Sequence, residues 1–236
     1  MRMVTEPFLD RSDSSAVLSQ GQSQRIALES ASGALPGDTV LTAAYRSVRR
    51  LVEVVLVALI APAAIVILAV CAAAILLLMG RPVLFVQDRV GRDGKVFRML
   101  KLRTMVDSPS SGSVATAEND PRITPLGGFL RRFHFDELPQ LWNILVGDMS
   151  FIGPRPEQPK LVAYYRSQIP HYDLRHVVTP GLTGWSQVYF GYAANLQETR
   201  TKLEYDLYFI QNFGFILDIR ILFRTIWVYA NPLYVR

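Results

Sequence analysis

The chain has 236 residues, half of them hydrophobic, and 25 basic against 20 acidic residues give a net charge of +5. This length suits one domain with a substantial core, and the positive mean hydropathy indicates contact with a membrane. The basic excess suits anionic lipid headgroups or phosphate ligands. A nucleic-acid binder is disfavoured because the basic residues are spread along an apolar chain without a recognised motif. The single cysteine, Cys71, excludes an internal disulfide.

Residues 1–40 contain clusters of Ser, Gly, Gln and Ala with scattered charges, and they show no helical or strand periodicity. They also lack the apolar h-region of a secretory signal peptide. We therefore predict a disordered tail over residues 1–40, followed by a membrane helix over residues 41–80 and a membrane-surface domain over residues 81–236.

Residues 54–79 contain no charged residue, and this run is long enough to cross a bilayer, which takes about 20 helical residues. Pro62 lies inside the run, where a proline bends a helix. Arginines flank both ends of the run, whereas a spanning helix has only one cytoplasmic end. We predict a re-entrant helix that bends at Pro62 and leaves on the side it entered. A spanning helix and a buried core helix are the alternatives.

The elements beyond the membrane segment are short. The sequence pattern predicts two strands, over residues 83–87 and 95–100, joined by a glycine-containing turn. This hairpin is expected at the membrane surface. Residues 107–119 predict a loop, either a lid over a site or a plain surface loop. Helices are predicted over residues 127–133, from Asp136 onward, and over residues 157–167, 197–212 and 215–230. The last helix either lies in the headgroup layer or packs against the core. Together these elements predict an α+β fold that is mostly helical and membrane-associated.

The densest polar cluster lies where Arg131 and Arg132 shortly precede Asp136 and Glu137. Capping of the following helix is one interpretation, because Asp is a favoured N-cap residue. The functional interpretation is that phosphate binds at the helix start and one carboxylate attacks phosphorus to form an acyl phosphate. Carboxylates and a diphosphate repel each other, so such a site needs basic residues and a divalent cation, for which Mg²⁺ is suited. Adjacent helical residues point about 100° apart, so the two carboxylates would have different tasks.

Basic residues elsewhere in the chain are candidates for phosphate contacts. Lys101 and Arg103 alternate on one face at a strand end, and Arg155 lies in a stiff turn between two prolines. His134 is interpreted as a packed or surface residue rather than a general base. The three histidines lack the spacing of a zinc site, so none is assigned a metal role.

At these residues the chain resembles the monotopic phosphoglycosyl transferases, also called bacterial sugar transferases. The similarity runs from about Arg46 to Tyr229. The motifs that carry it are GRDGKVF (91–97), KLRTM (101–105), DPRIT (120–124), DELPQL (136–141), GDMS (147–150), GPRP (153–156) and PGLTGWSQV (180–188).

The resemblance implies that residues 81–236 form a catalytic domain at the cytoplasmic face of the bacterial inner membrane, below a re-entrant helix bent at Pro62. Asp136 is expected to attack the β-phosphate of a UDP-sugar, which releases UMP and leaves a covalent sugar-phosphate intermediate. Polyprenol phosphate, typically undecaprenyl phosphate, then takes the sugar phosphate, an early membrane step of exopolysaccharide or other glycoconjugate assembly. Mg²⁺ is expected beside Asp136 and Glu137. Phosphate or nucleotide contacts are expected from Lys101, Arg103, Arg131, Arg132, Arg155 and Gln187.

The chain departs from the family pattern in two places. His134 and Phe135 stand where a small polar and an aliphatic residue are usual, and residues 189–194 lack the usual Asn-Gly-containing basic stretch, so no sugar preference carries over. Related proteins are often dimers, which makes a homodimer one expectation. Two other functions stay open: a non-catalytic membrane scaffold or regulator of polysaccharide assembly, and a glycosyltransferase that releases UDP.

Overall fold

A computed structural model describes residues 40–106, 120–191 and 193–230 of the chain. The predicted tail, apart from its last residue, and the predicted loop at 107–119 lie outside the described residues. The helices are α1 (Val40–Met79), α2 (Pro125–Arg132), α3 (Gln140–Val146), α4 (Pro159–Gln168), α5 (Trp185–Tyr189), α6 (Leu196–Asn212) and α7 (Phe215–Ala230). The strands are β1 (Leu84–Val90), β2 (Val96–Leu102), β3 (Ser150–Ile152) and β4 (Gly181–Thr183). The predicted mostly helical fold with one short antiparallel hairpin is confirmed.

Helix α1 is apolar on nearly all sides and remains helical through Pro62. Its stretch Ala44–Met79 is, by length and composition, able to cross a membrane. Its buried apolar side chains follow a spacing of seven, seven and four residues, which places them in one stripe along the helix: Val57, Ala64, Cys71 and Ile75.

The buried stripe of α1 packs on the domain at both ends of the stripe, which are Val57 and Ile75. Val57 joins a hydrophobic cluster with Phe97 of β2 and Ile144 of α3. Ile75 joins another cluster with Leu102 of β2 and Leu130 of α2. At 1.5 Å per residue, these two contact points lie about 27 Å apart along the helix. The domain therefore contacts α1 along its length rather than at one end.

The predicted hairpin is confirmed, with each strand beginning one residue later than predicted and ending two or three residues later. β1 pairs with β2 in an antiparallel register from Leu84↔Leu102 to Val90↔Val96. The turn between them contains Asp93 (φ 56°) and Gly94 (φ 73°), both in the left-handed region that glycine tolerates best. Phe97 and Met99 alternate with exposed residues of β2 and turn their side chains to α1 and α3.

The prediction that a helix begins at Asp136 was wrong, because α3 begins at Gln140. The chain leaves α2 through His134, whose φ of 56° breaks the helical path, and then forms a 3₁₀ turn over Phe135–Glu137 that we call the dyad turn. The N-cap position of α3 is Pro139, which has no side-chain hydrogen bond to offer. The capping interpretation of Asp136 and Glu137 is therefore also wrong.

A parallel pair of three-residue strands, absent from the predictions, lies between the dyad turn and the C-terminal helices. Ser150 of β3 pairs with Gly181 of β4, and Ile152 pairs with Thr183. The two backbones approach so closely that a Cβ on Gly181 would lie 2.0 Å from the backbone nitrogen of Gly153. This pairing ties the residues after α3 to the PGLTGWSQV motif.

Helix α6 supplies buried apolar residues to the largest hydrophobic cluster, among them Leu203, Leu207 and Phe209. Helix α7 is amphipathic: Leu217 and Ile221 are buried, whereas Ile216, Phe223 and Ile226 are exposed. Packing against the core, one of the two alternatives for α7, is therefore confirmed for one face, and the opposite face presents an exposed apolar surface.

Two adjacent glycines in α2 offer a matched test of its packing. A Cβ on Gly127 would lie 1.9 Å from the carbonyl oxygen of Thr104, whereas Gly128 faces open space. Gly127→Ala should lower the free energy of unfolding by about 1–3 kcal/mol, because α2 would have to move away from the strand end. Gly128→Ala should raise it by about 0.5–1 kcal/mol, since alanine favours a helix interior. Thermal unfolding of both variants in detergent checks this, and equal melting temperatures would contradict the close approach.

Candidate functional site

Three segments distant in sequence converge at the dyad turn. Lys101 comes from the end of β2, Glu137 from the dyad turn and Arg155 from the GPRP turn that follows β3. The Oε1 atom of Glu137 accepts a hydrogen bond from Lys101 Nζ at 2.7 Å and another from Arg155 Nη2 at 2.7 Å. One carboxylate oxygen thus joins two cationic side chains.

Electrostatics hold Glu137 in its ionised form. Its side chain is only 12% exposed. Burial raises its pKa, but the charges of Arg155 and Lys101 and their hydrogen bonds more than offset this, so the pKa of Glu137 lies well below its usual range. Burial also lowers the pKa of Lys101, against the opposing effect of Glu137.

Asp136, the neighbouring acid, has a different environment. It is buried, at 7% exposure, and none of the described residues donates a hydrogen bond to its carboxylate. Burial raises the pKa of Asp136, partly countered by the charge of Lys101. The dyad therefore consists of one carboxylate held by two cations and one poorly solvated carboxylate whose oxygens are available to a ligand.

Acid should weaken the fold partly through Glu137. Its pKa is lower in the folded chain than its ordinary value of 4.5, so the ionised group adds stability above that pH, and this contribution is lost as the pH falls further. Asp136 has the opposite effect on the free energy of unfolding. Its pKa is raised in the folded chain, so ionisation of Asp136 makes the fold less stable. Between about pH 6 and about pH 3.5, the melting temperature of the wild type should fall more than that of Glu137→Gln. If the melting temperatures of the wild type and of Glu137→Gln fell equally, this would contradict the depressed pKa of Glu137.

The donor set of the dyad suits Mg²⁺. Mg²⁺ is usually held by one or two carboxylates together with substrate phosphates, so it does not require a full protein cage. Among the described residues, no group of three or more His, Cys, Asp or Glu could hold a metal. The Asp136 carboxylate and Glu137 Oε2 accept no hydrogen bond from a described residue, so both can serve as oxygen ligands. They fit an ion that is shared with a bound phosphate.

Buried side chains fix the GPRP turn that carries Arg155. Arg175 Nη2 donates to the carbonyl of Arg155 at 2.9 Å and pairs with Asp206 at 2.8 Å, with both of these side chains 3% exposed. Arg89 Nη1 donates to the carbonyl of Pro156 at 3.0 Å. The backbone of the turn is therefore held from two sides, which reduces the entropic cost of using Arg155 as a ligand contact. No local sequence pattern indicates Arg175 or Asp206, because each acts across a long sequence separation.

Gln187 joins this group through one backbone carbonyl. Its Nε2 atom donates to Leu182 O at 2.9 Å, and Arg155 Nη1 approaches the same oxygen at 3.5 Å. Pairing of β4 with β3 brings Leu182 beside the GPRP turn. The Oε1 atom of Gln187 is buried and has no hydrogen-bond partner within the described ranges of the chain.

The other predicted phosphate-binding residues lie at varying distances from the dyad. Arg131 donates through Nε to Thr104 Oγ1 at 2.9 Å, and its charge lowers the pKa of Asp136. Arg103 Nε donates to the carbonyl of Met105 at 3.1 Å, and Arg103 Nη1 donates to that of Arg81, after the end of α1, at 2.9 Å. Arg132 is exposed and makes no hydrogen bond or ion pair with a described residue. The structure thus brings Lys101, Asp136, Glu137, Arg155 and Gln187 together, with Arg131 beside them, and directs Arg103 to α1.

An aromatic contact beside the dyad was absent from the predictions. The rings of His134 and Tyr229 lie 4.2 Å apart between centroids, which brings the end of α7 against the dyad turn. His134, whose backbone is in the left-handed region, thus contacts α7 through its ring. The sequence pattern does not show that α7 reaches this turn.

Comparison with known proteins identifies the family. Residues 44–232 match the family model described as bacterial sugar transferase. A UDP-N-acetylgalactosamine-undecaprenyl-phosphate N-acetylgalactosaminephosphotransferase of Aeromonas hydrophila is 47% identical over 146 residues, which cover 61% of this chain and 34% of that protein. A UDP-glucose:undecaprenyl-phosphate glucose-1-phosphate transferase of Escherichia coli K12 is 39% identical over 193 residues, covering 80% of this chain and 42% of that protein.

A shorter relative matches over more of its own length. A UDP-glucose:undecaprenyl-phosphate glucose-1-phosphate transferase of Caulobacter vibrioides is 38% identical over 194 residues, covering 81% of this chain and 73% of that protein. The aligned part of this chain therefore spans well under half of the first two relatives and about three quarters of the third.

Proposed function

The chain belongs to the bacterial sugar transferase family, and from this we propose that it transfers a sugar-1-phosphate from a UDP-sugar to undecaprenyl phosphate and releases UMP. The observation that carries the proposal is the contrast within the dyad. Glu137 is held by two cations, whereas the adjacent Asp136 carboxylate accepts no hydrogen bond from a described residue. The names of the relatives, which pair a UDP-sugar with undecaprenyl phosphate, support these substrate classes.

Asp136 is the proposed nucleophile. In the first half-reaction a carboxylate oxygen of Asp136 attacks the β-phosphorus of the donor. The bond from that phosphorus to the oxygen bridging the α-phosphate breaks, and UMP leaves with the electron pair. In the second half-reaction an oxygen of the lipid phosphate attacks the same phosphorus, and the bond to Asp136 breaks. The carboxylate is thereby regenerated, so one pocket serves both phosphates.

The proposed roles of the neighbouring residues follow from their charges. Lys101 and Arg155, already fixed by Glu137, would stabilise charge that develops on the phosphate oxygens. Gln187 and Arg131 are proposed to contact phosphate or nucleotide, as are Arg103 and Arg132 after a change of side-chain conformation. Mg²⁺, when bound through Asp136 and Glu137, would neutralise part of the diphosphate charge.

We propose that α1 is re-entrant at the cytoplasmic face of the bacterial inner membrane. The contacts of Val57 and Ile75 with the domain support this, because a spanning helix would carry one of them toward the far side of a hydrocarbon core about 30 Å thick. Pro62 lies between Val57 and the second contact region, where a bend would return the helix to the domain. The exposed apolar face of α7 would then lie in the interface.

Cysteine labelling in cells tests this topology. In a Cys71→Ser background, Ser47→Cys and Arg81→Cys place single thiols before and after the apolar run. We expect a membrane-impermeant maleimide to label neither position in intact spheroplasts and both positions after permeabilisation. Labelling of one position in intact spheroplasts would establish a spanning helix instead.

An assay of the released nucleotide tests the function. The purified chain is incubated with a panel of UDP-sugars, with and without undecaprenyl phosphate and Mg²⁺. We expect UMP from one or a few donors and a lipid diphosphate sugar only when the acceptor is present. Release of UDP would favour a glycosyltransferase, and release of neither nucleotide from any donor would favour a scaffold. A homodimer stays a prediction, which light scattering of the purified chain can check.

A further inference from the structure

A separate cavity of about 220 Å³ lies at the start of α1. Its charged lining consists of Arg46, Arg49, Arg50, Glu53 and Arg92, so four cations face one anion. None of the residues proposed above for the transfer reaction lines it. The excess of positive charge indicates a site for an anion.

Two of the arginines already make hydrogen bonds and ion pairs within the protein. Arg49 donates to Ser150 Oγ at 2.6 Å and lies 3.4 Å from Glu53. Arg50 donates to the carbonyl of Leu145, near the end of α3, at 2.6 Å and lies 3.7 Å from Glu53. These two arginines hold the start of α1 against the domain, and they neutralise the one acid in the lining.

The other two arginines have fewer partners within the described part of the chain. Arg46 makes no hydrogen bond or ion pair with any described residue. Arg92 has one loose ion pair among the described residues, to Asp93 at 3.6 Å, and both partners are largely exposed. These two guanidinium groups come from different elements, α1 and the hairpin turn, yet they line the same cavity. A bound anion could therefore accept hydrogen bonds from both sides.

The cavity also lies where two apolar surfaces meet. Tyr45 in its lining contacts Phe213 and Phe215 at ring-centroid distances of 5.3 and 4.9 Å, which joins the start of α1 to the start of α7. Among the described side chains, the first large exposed apolar residue is Val48 in α1 and Phe215 in α7. Phe209 and Phe213 form an apolar wall of the cavity. A phosphate in this place would be at the level of lipid headgroups, with an apolar surface beside it for the glycerol carbons.

We propose that this cavity binds the phosphate group of an anionic glycerophospholipid through Arg46 and Arg92. The bound headgroup would fix the depth at which α1 and α7 enter the membrane surface. This inference needs α1 to lie in the membrane, but it does not depend on the transfer reaction, so the two can fail separately.

Binding is tested with the full chain in a neutral detergent. Ligand-induced shifts of the melting temperature are titrated with short-chain phosphatidylglycerol, with phosphatidylcholine of the same chain length, and with inorganic phosphate. The test variant is Arg46→Gln/Arg92→Gln. The matched control is Lys160→Gln/Arg200→Gln, which removes the same charge from exposed positions that do not line the cavity.

We expect phosphatidylglycerol to stabilise the wild type and the control equally, and to bind the test variant about tenfold more weakly or worse, because charge-assisted hydrogen bonds are lost. UMP release in detergent and the circular-dichroism spectrum should be unchanged in the test variant. Equal binding of phosphatidylglycerol by the test variant and the control would overturn the proposal. Equal effects of phosphatidylcholine or of inorganic phosphate on the wild type would overturn the assignment to an anionic lipid.

Discussion

Asp136→Asn should reduce UMP release by about 10⁴-fold or more while the protein stays folded, because an amide cannot form the acyl phosphate. The side chain is buried and burial raises its pKa, so the isosteric neutral residue should not destabilise the fold and should even raise the melting temperature near neutral pH. Activity and stability are thus expected to change in opposite directions.

The measurement combines UMP release, thermal unfolding and trapping of the intermediate. A donor labelled in its β-phosphate is incubated without acceptor, and label retained by the denatured protein reports the covalent species. Asp88→Asn is the matched control, because Asp88 is exposed on β1 and should keep full activity. Retention of label by Asp136→Asn would show that another group attacks phosphorus.

Glu137→Gln should impair both stability and activity. The change leaves Lys101 and Arg155 without their shared anion in a largely buried place. Breaking a buried ion pair costs about 3–5 kcal/mol, but Arg155 is 34% exposed, so we expect a smaller loss of about 2–4 kcal/mol after solvent screening. UMP release should fall by about 10²-fold or more, since the two cations would no longer be held in place.

A double variant separates the two effects of Glu137→Gln. Adding Lys101→Met removes one of the orphaned charges, so Glu137→Gln/Lys101→Met should regain part of the lost stability without regaining activity. Chemical denaturation and UMP release are measured for all four members of the cycle. Additive losses of stability in the double variant would show that Lys101 and Glu137 do not interact energetically.

Local periodicity explains which elements could be predicted. Helix α6 differs from the predicted range by one residue at its start, and α7 has the predicted bounds. The hairpin was recognisable because alternating apolar residues flank a glycine-containing turn. In each case the pattern that identifies the element lies within the element itself.

The errors arose where distant residues decide the structure. The helix predicted from Asp136 fails because His134 adopts a left-handed backbone and Pro139 occupies the N-cap, neither of which the apolar spacing of α3 reveals. The pairing of β3 with β4 joins segments of three residues, too short for a periodic signal. The sequence placed Lys101, Glu137 and Arg155 in separate motifs, and only the fold shows that they share one oxygen atom.

The two contact points of α1 make the membrane segment part of the architecture of the domain. Val57 and Ile75 belong to the hydrophobic clusters that support β2, α2 and α3. A foreign hydrophobic segment grafted in place of α1 would restore attachment to the bilayer but would leave those clusters incomplete. The anchor is consequently not an exchangeable tether, and excising it should not yield a water-soluble version of the domain.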